Sequence, residues 1–134
     1  ASYQIEPRIS VQAFSTLHLD KKFQNIHHFC YLLTFGEKKI LFTADVDYTH
    51  ETFDAIRTVP LRAVFVNPLF FGVLRRGRFF KGELNTQSIG IYHVPFSEDD
   101  GMRMRPVLAH ELVEWPREKP ETFVLCDAFQ HIDL

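Results

Sequence analysis

The chain has 134 residues, 46% of them apolar and 24% charged, with a formal net charge of −2 at neutral pH. Those proportions belong to a single globular domain spanning residues 1–134, and they exclude a disordered tail, a collagen-like fibre and a disulfide-dense mini-protein. Without a clustered basic excess, neither nucleic acid nor an anionic membrane is an expected partner. The one basic cluster, Arg75, Arg76, Arg78 and Lys81, reads as a solvated face.

Phenylalanine is the marked feature: 14 Phe stand against 1 Trp and 4 Tyr. So many aromatic rings in so short a chain predict either a generous core or an apolar face that has to be covered. No apolar run reaches the ~18 residues of a membrane span, and no secretory leader opens the chain. Cys30 and Cys126 lie in apolar runs without CxxC spacing, so buried free thiols and a cytoplasmic setting are expected. The chain begins with Ala1 rather than Met, which predicts processing or a longer parent.

In chain order, Ile9, Val11 and Ala13 alternate with Ser10 and Gln12, a strand pattern of period two. Polar Lys21–Asn25 reads as a loop. Phe29–Phe35 and Ile40–Thr43 are β-rich runs joined by Gly36-Glu37-Lys38-Lys39, which predicts a hairpin. Thr49 can cap a helix over His50–Arg57, with Phe53 and Ile56 as its apolar side and Pro60 beyond its end. Ala63–Val66 predicts a buried strand, closed by the turn dipeptide Asn67-Pro68. Leu69–Gly82 is ambiguous: Phe70, Phe71, Leu74 and Phe79 suit one helix face, yet Gly72 and Gly77 weaken it. Ser88–Val94 predicts a strand ended by Pro95. Ser97 or Asp99 can cap the next element, and Val107, Leu108, Leu112 and Trp115 predict a helix over Pro106–Trp115, stopped by Pro116. Glu121–Cys126 predicts the last strand, with Phe129–Leu134 as a tail. Strands alternating with helices point to an α+β layered fold.

Three polar groups stand at predicted strand ends, where loops carry function. They are His18 in STLHLD, Asp45 in LFTADVDY and His93 in IYHVPF. They are too far apart in sequence to chelate locally, so only a fold can bring them together. With these residues the chain resembles the second half of the metallo-β-lactamase superfamily. Thr16-Leu17-His18 matches that family's Thr-x-His, and HFCYLLTFGEKKILFTADVDY (His28–Tyr48) is similar to its hairpin leading into an Asp. Tyr92-His93-Val94-Pro95 is similar to its strand ending in a ligand His. The resemblance covers about residues 9–126 and implies metal ligation by His18, Asp45 and His93, with Asp45 bridging two ions of zinc, manganese or iron. A carboxylate-bridged pair of ions would supply a hydroxide nucleophile for ester, amide, thioester or phosphodiester hydrolysis.

The departures carry equal weight. The family's His-x-His-x-Asp-His, which supplies most remaining ligands, is absent here, and neither His27-His28 nor His110-Glu111 replaces it. The family's Gly before the bridging Asp is Ala44. The resemblance therefore implies half of an αββα sandwich: a mixed sheet with helices on one face and its other face bare. Such a face needs a cover, either a second copy or an N-terminal half. Two functions follow. One is a metal-dependent hydrolase, or a fragment of one, inactive as this chain alone. The other is a non-catalytic half-fold that homodimerises as an interaction or regulatory module. Bland roles stay open for each residue: Asp45 and Asp47 as helix caps, His93 as a satisfied strand-end His, His50 and His110 as solvent-facing, and Glu98-Asp99-Asp100 as a solvated helix entry. Phe70, Phe71, Phe79 and Phe80 read as core or interface rather than a platform for stacking bases.

Overall fold

The apolar runs pair, in a computed structural model that describes residues 1–49, 51, 54–75, 84–116, 120–127 and 130–134, into a seven-stranded mixed sheet. Its strands are β1 (Ser2–Glu6), β2 (Ile9–Thr16), β3 (His28–Phe35), β4 (Lys38–Phe42), β5 (Leu61–Val66), β6 (Thr86–Ile91) and β7 (Glu121–Val124), and they lie in sequence order across the sheet. The first four are antiparallel; β4 to β7 are parallel. Helices α1 (Asp54–Arg57), α2 (Pro68–Arg75) and α3 (Met104–Val113) provide the crossovers between the parallel strands. Three crossovers of the usual right hand, stepping in one direction, set all three helices on one face. The fold is α+β and layered, as the sequence predicts.

Strand alternation then sorts the side chains. The helix-facing row runs Leu32, Leu41, Val64, Ile89 across the register, with Cys30, Val66 and Ile91 in the next row. Ile56 of α1, Phe70 and Phe71 of α2 and Leu108 of α3 bury against it. The Phe71 ring meets Trp115 at 4.8 Å, joining α2 to the end of α3.

The opposite face carries Ala13, Tyr31, Phe42, Phe65, Gly90 and Phe123 in register, with Tyr3, Val11, Leu33, Ile40 and Ala63 in the row beside them. No described helix lies on it. Over β4 to β7 the face is roofed by its own rings: Phe42 stacks on Phe65 at 4.6 Å, and Phe65 meets Phe123 edge-on at 5.7 Å. Gly90 is what lets them close, because a Cβ there would sit 2.6 Å from both the Phe65 and Phe123 rings. Over β1 to β3 the face is open, and Tyr3, Phe29, Tyr31 and Phe35 are exposed.

Several expectations change in detail. Lys21–Phe23 is a 3-10 turn capped by Asp20, not an open loop. The described part of α1 is one turn, Asp54–Arg57; His50 and Phe53 lie outside the described residues. Asn67-Pro68 closes β5 after Val66 and also opens a helix: Asn67 Oδ1 accepts the Phe70 amide at 2.8 Å, and Pro68 takes the first helical position. The ambiguous segment is thus helical to Arg75, while Arg76, Arg78, Phe79, Phe80 and Lys81 lie outside the described residues. Helix α3 starts at Met104, capped by neither Ser97 nor Asp99 but by Asp100, whose carboxylate accepts the Met104 and Arg105 amides at 2.6 and 2.9 Å. Cys30 is buried as expected, and burial pushes its thiol up to about 12; Cys126 is only half-buried.

Candidate functional site

His18, Asp45 and His93 all leave the sheet at one edge, just past β2, β4 and β6. The Leu17–Leu19 and Asp45–Asp47 segments are tied side by side, with Leu19 N donating to Asp45 O at 2.8 Å and Asp47 N to Leu17 O at 2.7 Å. That pairing sets His18 beside Asp45. The parallel β4-β5-β6 register then carries the loop after β6 to the other side of the same carboxylate. Asp45 Oδ2 lies 3.9 Å from His18 Nε2, and Asp45 Oδ1 lies 3.2 Å from His93 Nδ1. The resemblance named these three residues, and the fold brings them together around Asp45.

The backbone at this point is held in uncommon conformations. Ala44 has φ 48° and His93 φ 60°, both left-handed, where a non-glycine residue is strained. Ala44 is fixed from both sides: its amide donates to Tyr92 Oη at 2.6 Å, and its carbonyl accepts from Asn67 Nδ2 at 3.1 Å. Asn67 also donates to Asp45 Oδ1 at 2.9 Å. Burial pushes the Tyr92 phenol up to about 12, so it remains a neutral acceptor for the Ala44 amide across the ordinary pH range. Asp47, in contrast, accepts from Thr49 N and Oγ1 at 3.0 and 2.6 Å. The local-turn role open to both carboxylates falls to Asp47, while Asp45 points at the histidines and Asn67.

The strain at Ala44 yields a measurable consequence. Ala44→Gly is expected to raise stability by about 0.5–1 kcal/mol, as left-handed strain is relieved and part of the gain is lost to unfolded-chain entropy. Urea unfolding at constant m-value reads it, and a lower midpoint would contradict the strain.

Two groups at the site have no signature in the sequence. Asn67 reads as turn punctuation until β5 and α2 place it. His28 stands across the β2–β3 register from Thr16, with Nδ1 2.7 Å from Thr16 Oγ1 and its ring edge-on to His18 at 5.6 Å. Its Nε2 is buried without a hydrogen-bond partner among the described residues. Burial lowers the His28 pKa, and the His18 ring beside it lowers it further. His110, read as solvent-facing, is exposed on α3.

Asp45 and His93 also line a cleft of about 480 Å³, walled by Asn67, Leu69, Phe96, Met102 and other residues of the 93–104 segment. It lies at the carboxyl ends of the parallel strands, where open α/β sheets take ligands.

The donor set fits a metal in part. Two atoms each ~2.0–2.2 Å from one ion stand roughly 3–4 Å apart, which both Asp45 pairs satisfy. The ionised Asp45 carboxylate can only accept, so the neutral His93 ring carries its proton on Nδ1 at the 3.2 Å contact, and its Nε2, with no bond among the described residues, is free to take that proton when Nδ1 binds an ion. His18 is different: Asp20 N donates to its Nδ1 at 2.9 Å, so in the neutral ring the proton is on Nε2, facing Asp45. Ligation through Nε2 requires that contact to give way. Among the described residues, no three His, Cys, Asp or Glu side chains are grouped to hold an ion. Asp45 and His93 are then two ligands, short of the three that catalytic zinc takes from protein.

Among the described residues no helix is long and apolar enough to cross a membrane. No model of a known protein family matches this sequence, and the search of curated proteins found no significant match.

Proposed function

We propose that this chain is the Asp/His-bearing half of a metallo-β-lactamase-like, metal-dependent hydrolase, inactive until a further half covers the open sheet face and adds ligands. The observation that carries the reading is the convergence of His18, Asp45 and His93, from three separate loops, on one carboxylate at the mouth of a cleft. The incomplete donor set and the uncovered rings on β1 to β3 support the need for a second part. The two free cysteines support a cytoplasmic setting.

In this reading Asp45 and His93 would hold zinc, manganese or iron, and His18 would join once its contact to Asp20 is released. The metal would supply a polarised water for hydrolysis. The chain's own residues do the positioning. Asn67 and Tyr92 hold the Ala44 turn that presents Asp45, and the left-handed backbone at His93 turns its ring back toward Asp45.

Native mass spectrometry of the full chain with added zinc or manganese tests this. Metal is expected on the wild-type chain at high-micromolar or weaker affinity, and Asp45→Ala should lose it while keeping the far-UV circular dichroism of the parent. Metal content unchanged in Asp45→Ala would overturn the assignment. A second reading, a non-catalytic half-fold that homodimerises through its bare sheet face, draws on the exposed Tyr3, Phe29, Tyr31 and Phe35. A metal-free dimer in the same spectrum would select it.

A further inference from the structure

We propose that the cleft beside His93 takes an apolar organic cation, of the size of an aryl-alkyl ammonium, as its ligand class. The inference deepens the hydrolase reading, since it names the substrate class for that site, but binding itself is a property of the cleft and needs no metal.

At about 480 Å³ the cleft has the size of a small-molecule site. Three of its wall residues are large apolar side chains left in water: Leu69 at the start of α2 is 51% exposed, Phe96 is 55% and Met102 is 79%. Single exposed apolar residues are ordinary, but three around one opening form a patch that favours an apolar ligand. The charged side chains among its lining, apart from His93, are all acidic: Asp45, Asp99 and Asp100. No Lys or Arg lines it among the described residues. Arg105, close by in sequence, is tied to the Pro95 carbonyl at 3.0 Å.

The three carboxylates differ in what they have left to give. Asp100 is occupied in capping α3, and Asp45 accepts from Asn67 and faces the histidines. The Asp99 carboxylate has neither hydrogen bond nor ion pair among the described residues, although it lies in the same wall as the Phe96 ring. A free carboxylate and an exposed aromatic face are the two groups that recognise an ammonium, one by charge and the other through the ring quadrupole. Methionine thioethers adapt to the apolar remainder. In the metal-free chain a phosphate ester entering the same cleft would meet three carboxylates and, among the described residues, no Lys or Arg.

The chain's 2 methionines are Met102 and Met104, and both line the cleft, so methyl-labelled methionine reports on it with two signals. The probe is benzyltrimethylammonium, titrated at pH 8 into the metal-free full chain, with phenyl phosphate as the anion of matching ring. Saturable shifts of both methyl signals are expected with the cation, and at least tenfold weaker binding of the phosphate. Asp99→Asn, a surface substitution, should weaken the cation at least fivefold without changing the unliganded spectrum. No saturable shift, equal binding of phenyl phosphate, or unchanged affinity in Asp99→Asn would each overturn the proposal. Metal content unchanged in Asp45→Ala, with the cation titration intact, would overturn the hydrolase reading alone.

Discussion

Ile91→Asp is expected to abolish the fold, whereas Tyr31→Asp is expected to leave it standing and to change only what the protein associates with. Both positions are apolar strand residues, and both read alike in sequence. Ile91 closes β6 on the helix-facing side with no solvent exposure, in register with Val66 and Val124. Replacing it removes about 2–5 kcal/mol of packing and buries a carboxylate that costs several kcal/mol more. The sum is comparable with the roughly 5–15 kcal/mol that holds a domain together. Tyr31 stands on the other face and is 44% exposed, so a carboxylate there stays hydrated and costs about 1 kcal/mol or less. Far-UV circular dichroism should report loss of structure in Ile91→Asp only. Size-exclusion chromatography should report loss of any self-association in Tyr31→Asp. Unfolding of Tyr31→Asp to the same extent would mean that the open face is itself a core of this chain. Phe65, on that same face, falls between the two. Only 6% exposed beneath Phe42 and Phe123, it is already sheltered within the chain.

This contrast marks what the sequence could carry. Alternation located β2, and two β-rich runs joined by a Gly-containing turn located the β3–β4 hairpin. The sequence pattern also marked β5, because a parallel strand covered on both sides is a continuous apolar run. It missed β1, Ser2–Glu6, whose residues are all exposed, so burial imposed no pattern on them. Helix α2 was ambiguous because Gly72 lowers helix propensity, but that residue is buried and the helix is held by tertiary packing and by its Asn67 cap. Asp45, His18 and His93 stood out through resemblance to known motifs. Tyr92 lay inside one of those motifs without a role and Asn67 read only as a turn residue, because their work is done by hydrogen bonds across the β4–β5–β6 crossovers, and such bonds leave no spacing in the chain.

Asn67→Ala is the second large effect expected, and it separates scaffold from site. One side chain, 4% exposed, makes three bonds: to the Ala44 carbonyl at 3.1 Å, to Asp45 Oδ1 at 2.9 Å and from the Phe70 amide at 2.8 Å. Truncation removes the α2 cap, worth about 1 kcal/mol, and leaves buried polar groups without a partner at about 1–3 kcal/mol. A loss of about 2–4 kcal/mol in urea unfolding is expected, together with weaker metal retention wherever the wild-type chain retains any. Asn67→Asp keeps the cap oxygen but sets a second carboxylate against Asp45. Repulsion between the two raises their folded pKa, so the neutral form is favoured in the folded state. The penalty is absent below about pH 4 and grows as pH rises toward 7. Asn67→Ala has no such charge, so its deficit relative to the parent should be nearly constant over that window. Equal pH profiles for the two variants would show that Asn67 and Asp45 are not in contact. A Phe70 side that tolerates both variants at no cost would show that α2 does not depend on its cap.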